Sequence, residues 1–129
     1  MDKSKAGKRS RDRGKRGELE LVHILRDDYG YTVRRGYVFH GESDLVGLEG
    51  IHVECKYVEK LNIHKAMGQA VAEADKRKDG LPTVFFRRNG GEWLVCQKLT
   101  DWIDLYGAWV DEEGLDQTAQ EDGGQPYGL

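Results

Sequence analysis

The segment from Ile51 to Tyr57 alternates strictly between apolar and polar residues, and this pattern restricts the fold more than any other part of the chain. In a β-strand, successive side chains point to opposite faces, so the apolar members pack on one side of a sheet. The other side then displays His52, Glu54 and Lys56. The pattern therefore predicts a strand with one apolar face and one face that carries a carboxylate beside an ammonium group.

Residues 17–28 are predicted to form a helix that precedes this strand. Leu21, Val22 and Leu25 recur at helical spacing and form an apolar stripe. Glu18 lies on the same stripe, because positions 18, 21, 22 and 25 follow the spacing of one helix face. We therefore expect this carboxylate to point toward the core, where an unpaired charge is costly.

A second helix and a hairpin are predicted after the alternating strand. Asn62 is suited to cap a helix that ends near Lys78. The turn-forming residues 89–91 join two further strands as a hairpin. The predicted order is α-β-β-β-α-β-β-α. The predicted strands are Tyr31–Arg35, Asp44–Val46, Ile51–Tyr57, Thr83–Arg87 and Trp93–Gln97.

A short last helix is predicted at Asp101–Tyr106, with Thr100 as its N-cap. We expect it to bury its apolar residues Trp102, Ile103 and Leu105. A chain of 129 residues is long enough for one domain with a single core of moderate size.

Charge is distributed unevenly along the chain, although the net charge is only −3. Residues 1–16 hold eight Lys and Arg against two acids, and residues 111–129 hold six acids and no Lys or Arg. We expect a basic flexible arm at 1–16, a folded domain at 17–110 and an acidic disordered tail at 111–129. The arm is suited to binding phosphates, and a solubilising role is the alternative.

The composition favours a soluble protein of the cytoplasm. No apolar run approaches the ~18 residues that span a bilayer, and the basic N-terminus lacks the apolar segment of a secretory signal. Cys55 and Cys96 lie outside any metal-binding motif, so we expect two buried, reduced thiols.

Three acids are predicted to meet near the end of the alternating strand. Asp44 precedes Glu54 by ten residues, which leaves enough chain for a hairpin to bring the two side by side. Together with Glu18 they repel one another unless a cation lies between them, and Mg²⁺ prefers such oxygen ligands. Lys56 is then placed to orient a water or to stabilise a phosphoryl transition state. A solvated ion pair between Glu54 and Lys56 is the alternative interpretation.

Four short motifs follow one another in the chain. They are Lys15-Arg16-Gly17-Glu18, Gly30-Tyr31, Ser43-Asp44-Leu45-Val46 and Glu54-Cys55-Lys56. In this order they resemble the PD-(D/E)XK nuclease superfamily, whose core is α-β-β-β-α-β with a mixed central sheet flanked by helices. More narrowly, the set resembles archaeal-type Holliday-junction resolvases and their phage-encoded relatives, over roughly residues 15–106.

The resemblance implies a magnesium-dependent endodeoxyribonuclease, with Mn²⁺ as a substitute, that acts as a homodimer on four-way or other branched DNA. It implies metal binding by Asp44, Glu54, Glu18 and the Cys55 main-chain carbonyl, and catalysis by these three acids with Lys56. A nicking, flap or restriction-like nuclease, and a non-catalytic DNA-binding protein with this fold, are the alternatives. A phage origin would place the protein in the host-cell cytoplasm.

Several further residues are candidates for accessory or binding roles. Ser43 stands where the superfamily name has proline, and related resolvases use a serine near the acid. Gln69 matches a glutamine near the active site of many relatives, with a plain surface amide as the alternative. Glu20 competes with Glu18 for the helix position, and the apolar stripe favours Glu18. The predicted DNA-binding residues are Lys8, Arg9, Arg11, Arg13, Lys15, Arg16, Arg34 and Arg35.

Overall fold

The computed structural model describes residues 3–115, in two compact units divided after Lys98. The first unit is an α/β unit with a mixed five-stranded sheet. A π-helical turn at Ile24–Asp28 continues its first helix, and a 3₁₀ turn at Val38–His40 lies in the loop between its first two strands. Its helices are α1 (Lys3–His23) and α2 (Ile63–Arg77), and its strands are β1 (Arg34–Arg35), β2 (Leu45–Val46), β3 (Ile51–Tyr57), β4 (Leu81–Arg87) and β5 (Leu94–Gln97).

The strand order in the sheet is the same as the order along the chain, β1 to β5. Strands β1, β2 and β3 pair antiparallel, β3 and β4 pair parallel, and β5 returns antiparallel to β4. The parallel pair needs a crossover connection, which α2 supplies. The predicted element order and the β4–β5 hairpin are confirmed, and the predicted strand Ile51–Tyr57 matches β3 to the residue.

Strand β3 lies between two apolar clusters, although its alternation predicts an apolar environment on one face only. Val53 and Cys55 pack with Leu21 and Val22 of α1 on one side of the sheet. On the other side, Ala66 and Ala70 of α2 pack against Val84. Val84 is the register partner of Glu54, so the polar members of β3 lie on the side of the sheet that α2 covers.

Helix α1 begins much earlier than the predicted helix at residues 17–28. It is continuous from Lys3 to His23, so the described part of the predicted flexible arm is helical. Residues 3–16 contain eight Lys and Arg, which have high helix propensity. The prediction gave more weight to the lack of apolar residues in this stretch. No helix within residues 3–115 is both long and apolar enough to cross a membrane.

Helix α2 starts where its capping residue predicts. The Asn62 side chain accepts a hydrogen bond from the Lys65 amide at 3.1 Å, which confirms the N-cap. The helix ends at Arg77, and Lys78 follows in the left-handed conformation with φ 54°. The alanines on its buried face allow close packing on the sheet.

The second unit contains α3 (Leu99–Glu113), and three predictions about it are wrong. The helix has 15 residues instead of six. Thr100 lies inside it rather than at its N-cap. Trp102, Ile103 and Leu105 are 50%, 49% and 43% exposed instead of buried. Helical spacing places Trp102 and Tyr106 one turn apart, with their rings stacked at 5.2 Å. The described start of the predicted acidic tail is helical, and residues 116–129 lie outside the described residues.

Candidate active site

Asp44 is held in place by three hydrogen bonds, two of them to β3. Its amide donates to the Val53 carbonyl at 3.1 Å, and its own carbonyl accepts from the Gly36 amide at 2.8 Å. Its carboxylate oxygen Oδ2 accepts from the Cys55 amide at 2.8 Å. The carboxylate therefore lies next to the residue that follows Glu54. The predicted approach of Asp44 and Glu54 through a hairpin agrees with this geometry.

Gly36 is required for this arrangement because the Ser43 backbone passes very close to it. A Cβ at this position would lie 1.7 Å from the Ser43 carbonyl oxygen, and backbone atoms cannot move aside cheaply. The same segment holds Ser43, whose buried hydroxyl donates to the Leu45 carbonyl at 2.7 Å. Ser43 thus fixes the local backbone just before Asp44.

Glu54 and Lys56 project from the α2 side of β3, two residues apart. The Glu54 side chain is buried, with 7% exposure, and Lys56 is half-buried. The Lys56 ammonium Nζ donates to the Gln69 amide oxygen at 3.2 Å. A solvated ion pair between Glu54 and Lys56 therefore does not describe this site, and Gln69 on α2 is in contact with the lysine.

Two neighbouring carboxylates here are hard to ionise together. Burial, and then repulsion by Asp44, raise the pKa of Glu54 to about 7. Burial also raises the pKa of Asp44, against the opposing effects of the Cys55 amide bond and the Lys56 charge. Like charges this close share protons or attract a cation. The pair is therefore a local excess of negative charge, which Lys56 and Arg77 offset in part.

Glu18 reaches the same region from α1. Gly17 lets the helix approach β3 closely, since a Cβ there would lie 2.6 Å from Cβ of Tyr57. Burial raises the pKa of Glu18; its hydrogen bond with Arg35 opposes the rise and repulsion by Asp44 adds to it. The Glu18 oxygen Oε1 accepts from Nε of Arg35 at 2.9 Å.

Glu20, the alternative acid on α1, has different partners. Its carboxylate accepts from the Arg87 guanidinium, and from Nε1 of Trp93 at 2.9 Å. It thereby ties α1 to the β4–β5 hairpin. Of the two acids, Glu18 is the one electrostatically coupled to Asp44.

The oxygen donors around Asp44 are of the kind that binds a hard cation, but they include only two carboxylates. Among residues 3–115, no three His, Cys, Asp or Glu side chains converge closely enough to hold a metal ion. Glu18 is bound to Arg35 instead of completing such a set. The carboxylates of Asp44 and Glu54 and the carbonyl of Cys55 are oxygen donors of the kind Mg²⁺ prefers, and Mg²⁺ usually keeps several waters. Two carboxylates and one carbonyl therefore fit Mg²⁺ by their chemistry.

His52 and Arg77 belong to this neighbourhood. The alternation places His52 on the same face as Glu54 and Lys56, and there it is 1% exposed, with its Nδ1 2.8 Å from the Asp79 carboxylate. Arg77 at the end of α2 lowers the pKa of both Asp44 and Glu54. The only signal for His52 was its place on the polar face of β3, and Arg77 gave none.

The predicted DNA-binding residues divide into two groups. Arg34 and Arg35 are paired within the chain, Arg34 with both Glu42 oxygens and Arg35 with Glu18. The group on α1 lies on a helix that is largely exposed. The residues of the α1 group are Lys8, Arg9, Arg11, Arg13, Lys15 and Arg16.

Comparison with known proteins gave no independent assignment. Neither a protein-family model nor a curated protein matches the chain. Function is therefore inferred from the residues of the site.

Proposed function

We propose that this chain is a magnesium-dependent endodeoxyribonuclease that hydrolyses DNA phosphodiesters. The observation that carries the proposal is the hydrogen bond from the Cys55 amide to the Asp44 carboxylate, which places Asp44 at the residue after Glu54. Repulsion between Asp44 and Glu54 supports their proximity. Lys56 projects from the same face of β3 as the second carboxylate, Glu54. A carboxylate pair can hold a metal that assists phosphodiester hydrolysis, and an adjacent ammonium group can stabilise the charge that develops on the phosphate.

Each residue has a defined task in this reaction. Asp44, Glu54 and the Cys55 carbonyl would hold Mg²⁺, which would supply an acidified water and neutralise phosphate charge. Lys56 places its ammonium beside the reacting phosphate and stabilises the charge that develops on it. Gln69 holds that ammonium in position through its amide oxygen.

The basic residues of α1 provide a surface for the DNA backbone. Residues 3–16 contain eight Lys and Arg and one acid, Asp12, on one continuous helix. Cationic side chains of this density bind phosphates without reading sequence, by releasing condensed counterions. The net charge of −3 therefore does not oppose DNA binding, because the charges are segregated along the chain.

We infer branched DNA, and four-way junctions in particular, as the substrate class, and a homodimer as the acting form. Support comes from the resemblance of the ordered motifs to archaeal-type Holliday-junction resolvases. The acids define the reaction more closely than the shape of the substrate, so the same residues also suit a nicking, flap or restriction-like nuclease. A substrate panel separates these alternatives.

The panel uses labelled four-way junction, flap and linear duplex of matched sequence with Mg²⁺. We expect paired symmetric nicks in the junction that disappear in Asp44→Asn, whose amide oxygen still accepts from Cys55. Glu49→Gln, in the exposed turn before β3, is the matched control and should cut normally. Equal cutting of linear duplex would exclude the resolvase assignment. No cutting of any substrate with Mg²⁺ or Mn²⁺ would exclude the nuclease.

A non-catalytic DNA-binding protein is the second candidate, and one observation favours it. Glu18 is paired with Arg35, whose charge offsets the carboxylate that the resemblance assigns to the metal. If Mn²⁺ fails to bind in calorimetry while the chain still binds junction DNA, this second function replaces the first.

A further inference from the structure

The loop between β1 and β2 exposes three consecutive apolar residues. Tyr37 is 57% exposed, Val38 is 79% exposed and Phe39 is 101% exposed. A run of three exposed apolar residues lowers solubility and is uncommon unless it binds something. Phe39 at the tip contributes its whole side chain to the solvent-facing surface.

Several hydrogen bonds hold this loop in one conformation, and that conformation exposes Phe39. The Arg34 guanidinium donates to both carboxylate oxygens of Glu42, at 2.9 and 2.7 Å. Glu42 also accepts from the Tyr37 amide at 2.9 Å, and Gly41 turns the chain with φ 69°. Arg34 further lies 4.7 Å from the centre of the Tyr37 ring. Because these bonds fix the loop, presenting Phe39 to a partner costs little ordering entropy.

The loop leads directly into the candidate active site. Asp44 follows Phe39 by five residues, so their Cα atoms lie at most about 18 Å apart. That distance corresponds to about five base steps along a DNA strand. A strand whose phosphate lies at Asp44 therefore has nearby bases within reach of the Phe39 ring.

We propose that Phe39 stacks against an unstacked nucleobase of branched DNA and so contributes to the choice of substrate. Apolar side chains that enter disrupted base steps are a known way in which proteins recognise distorted DNA. Aromatic rings stack on any base, and unpaired or branch-point bases are the cheapest to expose. This inference rests on the proposed nuclease function and names the substrate feature that it would recognise.

A second copy of the chain fits this tip less well than a base does. Stable protein interfaces bury about 800 Å² per partner, and three side chains on one braced turn offer much less. A nucleobase needs only one aromatic face. The basic helix α1 in the same unit suits a polyanionic partner.

The test measures DNA binding without divalent metal, so that it does not depend on cutting. The probes are a four-way junction with 2-aminopurine at the branch and a linear duplex of matched sequence. Phe39→Ala is compared with Phe39→Trp and with Tyr29→Ala, an exposed aromatic outside the loop. Thermal unfolding of each variant shows whether the fold is kept.

We expect Phe39→Ala to weaken junction binding by about 5- to 150-fold, the change that loss of one base–aromatic stack produces. Duplex binding should change little, and the 2-aminopurine fluorescence change should be lost. Phe39→Trp should restore both. Equal junction binding by wild type and Phe39→Ala would overturn the inference. Junction cutting by wild type would in that case still support the proposed nuclease function.

Two other results also overturn the inference. Conversion of a dimer to a monomer by Phe39→Ala in sedimentation velocity would identify a second copy as the partner of the loop. Failure of the wild type to bind or cut any DNA would remove the nuclease function together with the inference.

Discussion

Replacing Glu54 by Gln should change the pH dependence of stability in a specific direction. Burial and the nearby Asp44 raise the pKa of Glu54 from 4.5 to about 7 in the folded chain. The folded state therefore binds this proton more tightly than the unfolded state does. Stability from this group is full below about pH 4.5, falls as pH rises to about 7 and stays low above it.

The size of the effect follows from the pKa change. One pKa unit corresponds to about 1.4 kcal/mol, so ionising Glu54 lowers the free energy of unfolding by about 3 kcal/mol between pH 4.5 and pH 8. Glu54→Gln mimics the neutral carboxyl and should remove this loss. At pH 8 without divalent metal, the variant should therefore be more stable than wild type by about this amount.

Urea unfolding at pH 5 and pH 8 measures the difference, with Glu49→Gln as the matched exposed control. Mg²⁺ should then stabilise wild type at pH 8 and have little effect on Glu54→Gln, because a ligand that binds only the folded state shifts the equilibrium toward it. A variant that is no more stable than wild type at pH 8 would refute the assignment of Glu54 as a buried, repelled carboxylate.

Three further predictions test the structure around the site. Gly17→Ala should be less stable than Gly14→Ala by about 1–3 kcal/mol in urea unfolding, because only the first substitution places a Cβ against β3. Equal stabilities of the two variants would contradict the close approach of α1 to β3. Deleting residues 1–14 should make DNA binding less dependent on salt: the slope of log binding constant against log salt concentration should fall in magnitude by about 0.9 for each lost phosphate contact. An unchanged slope would mean that these residues of α1 do not contact DNA. Glu18→Gln should slow cutting by about 10- to 100-fold while Glu20→Gln leaves it nearly unchanged; the reverse would assign the helix acid to Glu20.

The sheet was predictable because its signals are local. Strict alternation from Ile51 to Tyr57 defines β3 without reference to the rest of the fold. Asn62 defines the start of α2 through one side-chain bond to a backbone amide. Such patterns depend on neighbours along the chain, so a sequence displays them directly.

The helix ends were harder to predict because competing effects decide them. Helix propensity extends α1 to Lys3 without any apolar stripe to reveal it. Helix α3 continues through Gly107 to Glu113, although glycine usually weakens a helix. Burial of Trp102 was expected only because the residue is apolar. Apolar character does not show whether another part of the fold covers the side chain.

The candidate site was predictable only as a set of residues. Spacing on β3 placed Glu54 and Lys56 on one face, and the hairpin before it brought Asp44 alongside. The pairing of Glu18 with Arg35 depends on side chains 17 residues apart and leaves no sequence signal. The buried contact between His52 and Asp79 is equally long-range.

Single-turnover cutting of a labelled four-way junction with Mg²⁺, by wild type and by Lys56→Ala, tests the central claim most directly. The account predicts a cutting rate about 100- to 1000-fold lower in the variant, the usual cost of removing one group that stabilises transition-state charge. Junction affinity measured without metal should stay close to that of wild type. Undiminished cutting by Lys56→Ala, or no metal-dependent cutting by wild type, would contradict the account.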